Sequence, residues 1–237
     1  FAGLYHAGPD GIFLKRGKTL RVHASGAFPF VTLVKGPDPR LDRFYFGKAL
    51  LYPVVAAPFV WVFGLNGLLL LNVWLLGAMV VCGYVFLSAR SSPASAVLLS
   101  TAFVFASVLP VYVAFLMPEM LNAALVCVAY FLWLYREVAP EGRPINARWT
   151  LMAAAVLLGL ATYSKPLNGI LVAPLVLLSW WRREWWQGFV AGAVAVAAAA
   201  VCFAGTAWVS GEFNYQGGDR KTFYGSFPLE LVGDAWN

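Results

Sequence analysis

Two residues of opposite charge stand alone in a long apolar stretch. Between positions 49 and 211 only eleven residues are charged: Arg90, Glu119, the run Arg136, Glu137, Glu141, Arg143 and Arg148, then Lys165, and the cluster Arg182, Arg183 and Glu184. If the apolar segments between them cross a membrane, these charges alternate between its two faces. The arginine groups then share one side, and Glu119 and Lys165 share the other. A carboxylate so placed can line a polar substrate cleft. A lysine ammonium is a compact point charge suited to phosphate.

Their local contexts admit plainer readings as well. Glu119 lies in Met117-Pro-Glu-Met-Leu-Asn122, where Pro118 and an acid both favour the first turn of a helix. Lys165 lies in Tyr163-Ser-Lys-Pro-Leu-Asn168 and could be a lysine reaching to the interface from a tight helix–helix turn. Each motif is weak alone. Their common side makes the pair the stronger lead.

Two further stretches supply candidates. Lys48 closes Arg43-Phe-Tyr-Phe-Gly-Lys48 at the entry to a proline-rich apolar segment, where interfacial anchoring accounts for it equally well. Residues 212–224 mix aromatic rings, amides and charge, with Tyr215, Asp219, Arg220 and Lys221 as the binding candidates. Aromatic faces beside amide and carboxylate groups suit sugars, and Arg220 and Lys221 suit phosphate. An ordinary solvated loop fits the same residues. No Ser-His-Asp arrangement, phosphate-binding loop, HExxH site or dinucleotide fingerprint occurs. Two histidines and three cysteines form no metal-ligand spacing, and Cys82, Cys127 and Cys202 read as packing residues within apolar runs.

The elements that must position these residues are apolar helices. The chain is 61% hydrophobic and 12% charged, about half the charged share of a soluble domain, and its mean hydropathy is +0.72. This composition predicts an all-α integral membrane protein. Charge-free windows give six spans: residues 68–89, 94–117, 120–135, 149–164, 167–181 and 188–210. The third, fourth and fifth are short for ~30 Å of hydrocarbon at ~1.5 Å per residue, which predicts that Glu119 and Lys165 are recessed in a polar cleft. Bilayer thinning or snorkelling would relieve the same mismatch. The arginine-bearing short loops predict the cytoplasmic side, and six tryptophans at positions 133, 149, 180, 181, 185 and 186 crowd the same boundary.

The net charge of +6 sits mostly at the beginning, where residues 1–48 hold eight lysines and arginines against three aspartates. Anionic lipid or a phosphorylated ligand is the natural partner of a basic segment beside a membrane. No base-stacking motif accompanies it, so nucleic acid is not expected. Residues 1–48 carry hairpin character, with Ile12–Lys15 and Lys18–His23 flanking a turn at Arg16-Gly17 and a further strand over residues 28–34. Residues 49–65, with Pro53 and Pro58, read either as a seventh span or as a juxtamembrane or re-entrant helix. The resulting organisation is a segment at 1–48, that helix at 49–65, a helical bundle at 66–211 and a loop at 212–237. Both ends read as cuts through a longer protein.

The order of these motifs resembles a known family. Tyr45-Phe-Gly-Lys-Ala-Leu-Leu-Tyr-Pro, the segment ending Val62-Phe-Gly64, a hairpin with Pro118-Glu119 and a second with Ser164-Lys-Pro166 are similar to the GT-C superfamily. These are polyprenyl-phosphate-sugar-dependent membrane glycosyltransferases, including protein O-mannosyltransferases and lipid A aminoarabinose transferases. The resemblance covers roughly residues 40–182. It implies that residues 1–48 are extracytoplasmic, and that a sugar moves from a lipid-phosphate donor to an acceptor on that face. A carboxylate would act as general base; Lys165, Lys48 or Arg220 would stabilise the departing phosphate, and Glu119 would line the cleft. Some relatives use a divalent cation, but no ligand set for one is visible here. The family's acidic motif has no good match, Asp10 being a poor one, so the catalytic acid is unknown and expected upstream of Phe1. The competing expectations are a non-catalytic membrane subunit of a larger complex, in which Glu119 and Lys165 merely pair, and a lipid or solute transporter.

Overall fold

The computed structural model describes residues 5–8, 11–14, 31–34, 43–46, 49–114, 117–139 and 149–210. The chain divides into two compact units, one of residues 51–202 and one of residues 1–50 with 203–237. In the second of these, β1 (Tyr5–Gly8) pairs antiparallel with β2 (Gly11–Leu14), and β3 (Val31–Val34) with β4 (Arg43–Phe46). Gly11–Leu14 therefore pairs with the strand before it. The turn expected at Arg16-Gly17 and the strand expected at residues 18–23 lie outside the described residues.

The unit of residues 51–202 is helical: α1 (Leu51–Phe63), α2 (Asn66–Ser88), α3 (Pro93–Phe105), α4 (Leu109–Ala114), α5 (Glu119–Val138), α6 (Trp149–Ser164), a 3-10 helix (Pro166–Val172), α7 (Ala173–Trp181) and most of α8 (Trp185–Ser210). Among the described residues three helices are long and apolar enough to cross a membrane: α2, α5 and α8. Of the six spans expected, three are thus single helices of that kind and three are not, and the reasons are local. Residues 94–117 do not form one helix. Ser92 caps α3 by accepting the Ser95 N–H at 3.2 Å, with Pro93 at the first turn. After Phe105 the Ser107 hydroxyl donates to the Val104 carbonyl at 2.7 Å and accepts the Leu109 N–H at 3.1 Å, so a new short helix begins. Pro110, in its first turn, has no N–H to continue the older ladder. Residues 166–181 likewise split, because Pro166 opens a 3-10 helix that becomes α-helical only at Ala173.

α5 departs from expectation in the other direction. It incorporates the charges that bounded its window, and its 20 residues reach ~30 Å. The shortness expected of residues 120–135 is therefore absent from α5, whereas α6 has 16 residues. α1, with 13 residues, reaches only ~20 Å, too short to cross. It stops at Gly64, whose φ of +62° suits glycine and whose N–H reaches the Val60 carbonyl at 2.9 Å.

The core is organised around α5. Tyr52 and Ala56 of α1 pack with Leu68 and Leu71 of α2 and with Leu121. Met79 of α2 and Val104 of α3 pack with Met120 and Ala124. Ala129 and Trp133 pack with Leu151, Ala154 and Leu158 of α6, Leu175 of α7, and Ala191 and Ala195 of α8. Trp133 is thus a core residue, whereas Trp149, Trp180, Trp181, Trp185 and Trp186 are exposed, as an interfacial belt requires. Small residues let backbones approach closely where α6 meets α8. A Cβ on Gly159 would collide with the Ala195 carbonyl oxygen and the Ala198 methyl. Asn72, fully buried, accepts from the Tyr52 hydroxyl at 3.1 Å and donates to the Val113 carbonyl at 3.1 Å. It thereby ties α1 to α2 and satisfies a carbonyl in the last turn of α4.

Candidate functional site

The site is built where the start of α5 meets the end of α6. Pro118 precedes α5, and the Asn122 N–H closes the first turn on the Pro118 carbonyl at 2.9 Å. Glu119 is the first residue of α5, and Asn122 follows one turn later on the same face. α6 ends at Ser164 because Pro166 forces the residue before it out of the helical region; Lys165 has φ −141° and ψ 107°. The Lys165 N–H still reaches the Ala161 carbonyl at 2.9 Å, and the Asn168 N–H reaches the Lys165 carbonyl at 2.8 Å. Three residues per 3-10 turn then place Asn168 one turn on from Lys165.

Two side-chain pairs join these elements. Lys165 Nζ lies 3.1 Å from Glu119 Oε1. One turn on, Asn168 Nδ2 donates to Asn122 Oδ1 at 3.2 Å, and also to the Ala161 carbonyl at 3.1 Å. Exposure changes sharply across the pairs. The Lys165 side chain is 44% exposed and that of Glu119 20%, while Asn122 is 6% exposed, and Tyr163 and Ser164 at the end of α6 are buried. Lys165 can therefore meet a solute or headgroup, while Asn122 is covered and Asn168 is part-buried.

At the other end of α5, Arg182 makes a forked contact with Glu137, at 2.5 Å to Oε1 and 3.1 Å to Oε2. Arg136 lies 3.4 Å from Glu137 and 3.8 Å from Glu184. Glu119 and Glu137 are separated by ~27 Å along the helix at ~1.5 Å per residue, close to the ~30 Å of a hydrocarbon core. α5 thus carries ion pairs at both ends and none between, among the described residues.

Of the candidate binding residues, the structure brings Glu119 and Lys165 into direct contact. Lys48, Tyr215, Asp219, Arg220 and Lys221 lie outside the described residues. Among the described residues no three of His, Cys, Asp or Glu come together as metal ligands, and Cys82, Cys127 and Cys202 stand as thiols within α2, α5 and α8. Sequence reasoning assigned no role to Asn122 or Asn168. The signal was present, since each stands three residues after one of the lone charges. Comparison with protein-family models, curated proteins and solved structures gives no match to this chain.

Proposed function

We propose that the chain forms part of an integral membrane glycosyltransferase of GT-C type, moving a sugar from a polyprenyl-phosphate donor to an acceptor on the extracytoplasmic face. In this reading α2, α5 and α8 cross the membrane, joined by the segments of α3–α4, α6 and residues 166–181 to give six crossings. α1 lies in or beside the outer leaflet. The arginine-bearing ends face the cytoplasm of a bacterial cell whose inner membrane holds the protein. Lys165 and Glu119 line the substrate cleft, and the catalytic carboxylate is unassigned. The observation that carries the reading is the part-exposed Lys165–Glu119 pair set beside a part-buried amide pair at one end of a largely apolar bundle. An ion pair in such surroundings marks a substrate path more often than a lipid-facing surface.

The test is incorporation of labelled sugar from a polyprenyl-phosphate donor in membranes expressing the protein. Lys165→Ala and Glu119→Gln are each expected to lower transfer by about tenfold, ~1.4 kcal/mol of barrier, with expression unchanged. Unchanged transfer in both variants removes the pair from the site. The 3.1 Å contact itself favours a second reading, a non-catalytic subunit of a larger membrane complex in which the pair joins two helices. In that case the same variants alter assembly, seen as a shift in complex size, and leave transfer untouched.

A further inference from the structure

The hydrogen bonds around Asn168 fix the orientation of both amides. The Ala161 carbonyl can only accept, so the atom of Asn168 that faces it must be the NH2 group. That nitrogen has two hydrogens, and the second goes to Asn122. Asn122 must therefore present its carbonyl oxygen to Asn168 and turn its own NH2 group away. That group, Asn122 Nδ2, is buried and donates no hydrogen bond among the described residues, in a residue only 6% exposed. A buried donor left unmet costs roughly 1–3 kcal/mol. In a bundle whose surroundings are largely hydrocarbon there is little bulk water to offset that cost.

From this arrangement we infer that Asn122 Nδ2 is the donor of a binding site for an uncharged, hydroxyl-bearing ligand, a sugar ring, entering at the Glu119–Lys165 end of α5. The ligand must bring an acceptor oxygen to the NH2 group. Phosphate would bring several, but the Lys165 charge is already met by Glu119 at 3.1 Å. The Glu119–Lys165 pair is therefore neutral overall, and a phosphate would lie against a carboxylate. A hydroxyl fits both neighbours, because it accepts from Asn122 and donates to the Glu119 carboxylate one turn away. The site itself follows from the hydrogen bonds; the identification of its ligand as a sugar rests on the transferase reading.

Saturation-transfer NMR on the protein in lipid nanodiscs tests it, with methyl α-mannopyranoside and methyl α-glucopyranoside as probes and no glycoside detergent present. Glycerol and inorganic phosphate are the comparison ligands, standing for a lipid headgroup and a free anion. A glycoside is expected to bind saturably to the wild-type protein. Asn122→Asp, which in its ionised form keeps the acceptor for Asn168 and removes the donor, is expected to weaken it about tenfold; Asn122→Leu should act likewise. Equal binding in wild type and both folded variants overturns the assignment, as does preferential binding of glycerol or phosphate, or no saturable glycoside at all. If neither variant folds, the side-chain amide signal of Asn122 in 15N-asparagine-labelled wild type decides. It should shift on glycoside addition, and a stationary signal overturns the proposal. Labelled-sugar transfer is measured in parallel. A protein that binds glycoside through Asn122 and transfers nothing loses the transferase reading and keeps the site.

Discussion

Asn168 donates its side-chain amide to Asn122 at 3.2 Å, one turn on from the point where Lys165 meets Glu119 at 3.1 Å. The two contacts share a spacing of three residues on each strand of the joint, from Glu119 to Asn122 and from Lys165 to Asn168. On α5 that spacing returns to nearly the same face, and on a 3-10 helix it returns to it almost fully. A charged pair and an amide pair are thus stacked on one seam between α5 and the end of α6.

The seam makes the ion pair more than an incidental surface contact. With Lys165 partly exposed and Glu119 mostly covered, a double-mutant cycle of Glu119→Gln and Lys165→Met is expected to give a coupling of ~1 kcal/mol. Unfolding of the protein by denaturant titration in bilayer mimics measures it. A coupling near zero would show that the two side chains contribute independently.

Packing of α6 on α8 depends on the absence of a side chain at position 159. Gly159→Leu must push the Ala195 backbone aside, and a loss of about 1–3 kcal/mol is expected from overpacking. Gly77, with nothing within 4 Å of an added Cβ, provides the contrast. Gly77→Ala is expected to leave stability unchanged or raise it by up to ~1 kcal/mol through helix propensity. Melting temperatures moving in the same direction for both variants would contradict the packing shown here.

The charges at the other end of α5 form a network rather than a single pair. Glu137 holds Arg182 through both carboxylate oxygens and also lies beside Arg136. Glu137→Gln removes the carboxylate that holds Arg182 and leaves Arg136 its 3.8 Å contact with Glu184, and is expected to cost about 1 kcal/mol at low salt, shrinking as salt rises. The salt series of unfolding free energies is the measurement. A loss that does not depend on ionic strength would assign Glu137 a packing role instead.

Sidedness can be read by labelling. In a background with Cys82, Cys127 and Cys202 replaced, Leu167→Cys is expected to react with an impermeant maleimide from outside intact cells, since Leu167 is 76% exposed beside Lys165. Arg183→Cys is expected to react only after permeabilisation. The reverse pattern inverts the proposed orientation.

Sequence alone determined the membrane class and the isolation of Glu119 and Lys165, because both are matters of composition and of where charge is missing. It also located most helical segments, since long charge-free runs have few other folds open to them. Where it stretched 94–117 and 167–181 into single helices, the deciding groups were the Ser107 hydroxyl and the ring of Pro166, which act on one or two hydrogen bonds and leave hydropathy unchanged. Where it shortened α5, charged residues turned out to be part of the helix, paired at both ends. Only the tertiary structure decided that the lone acid and base touch, and that Asn122 and Asn168 meet beside them. An amide contributes almost nothing to a pattern of charge or hydrophobicity. Its meaning came from Ala161, a backbone carbonyl on another helix, which sets which way two side chains face.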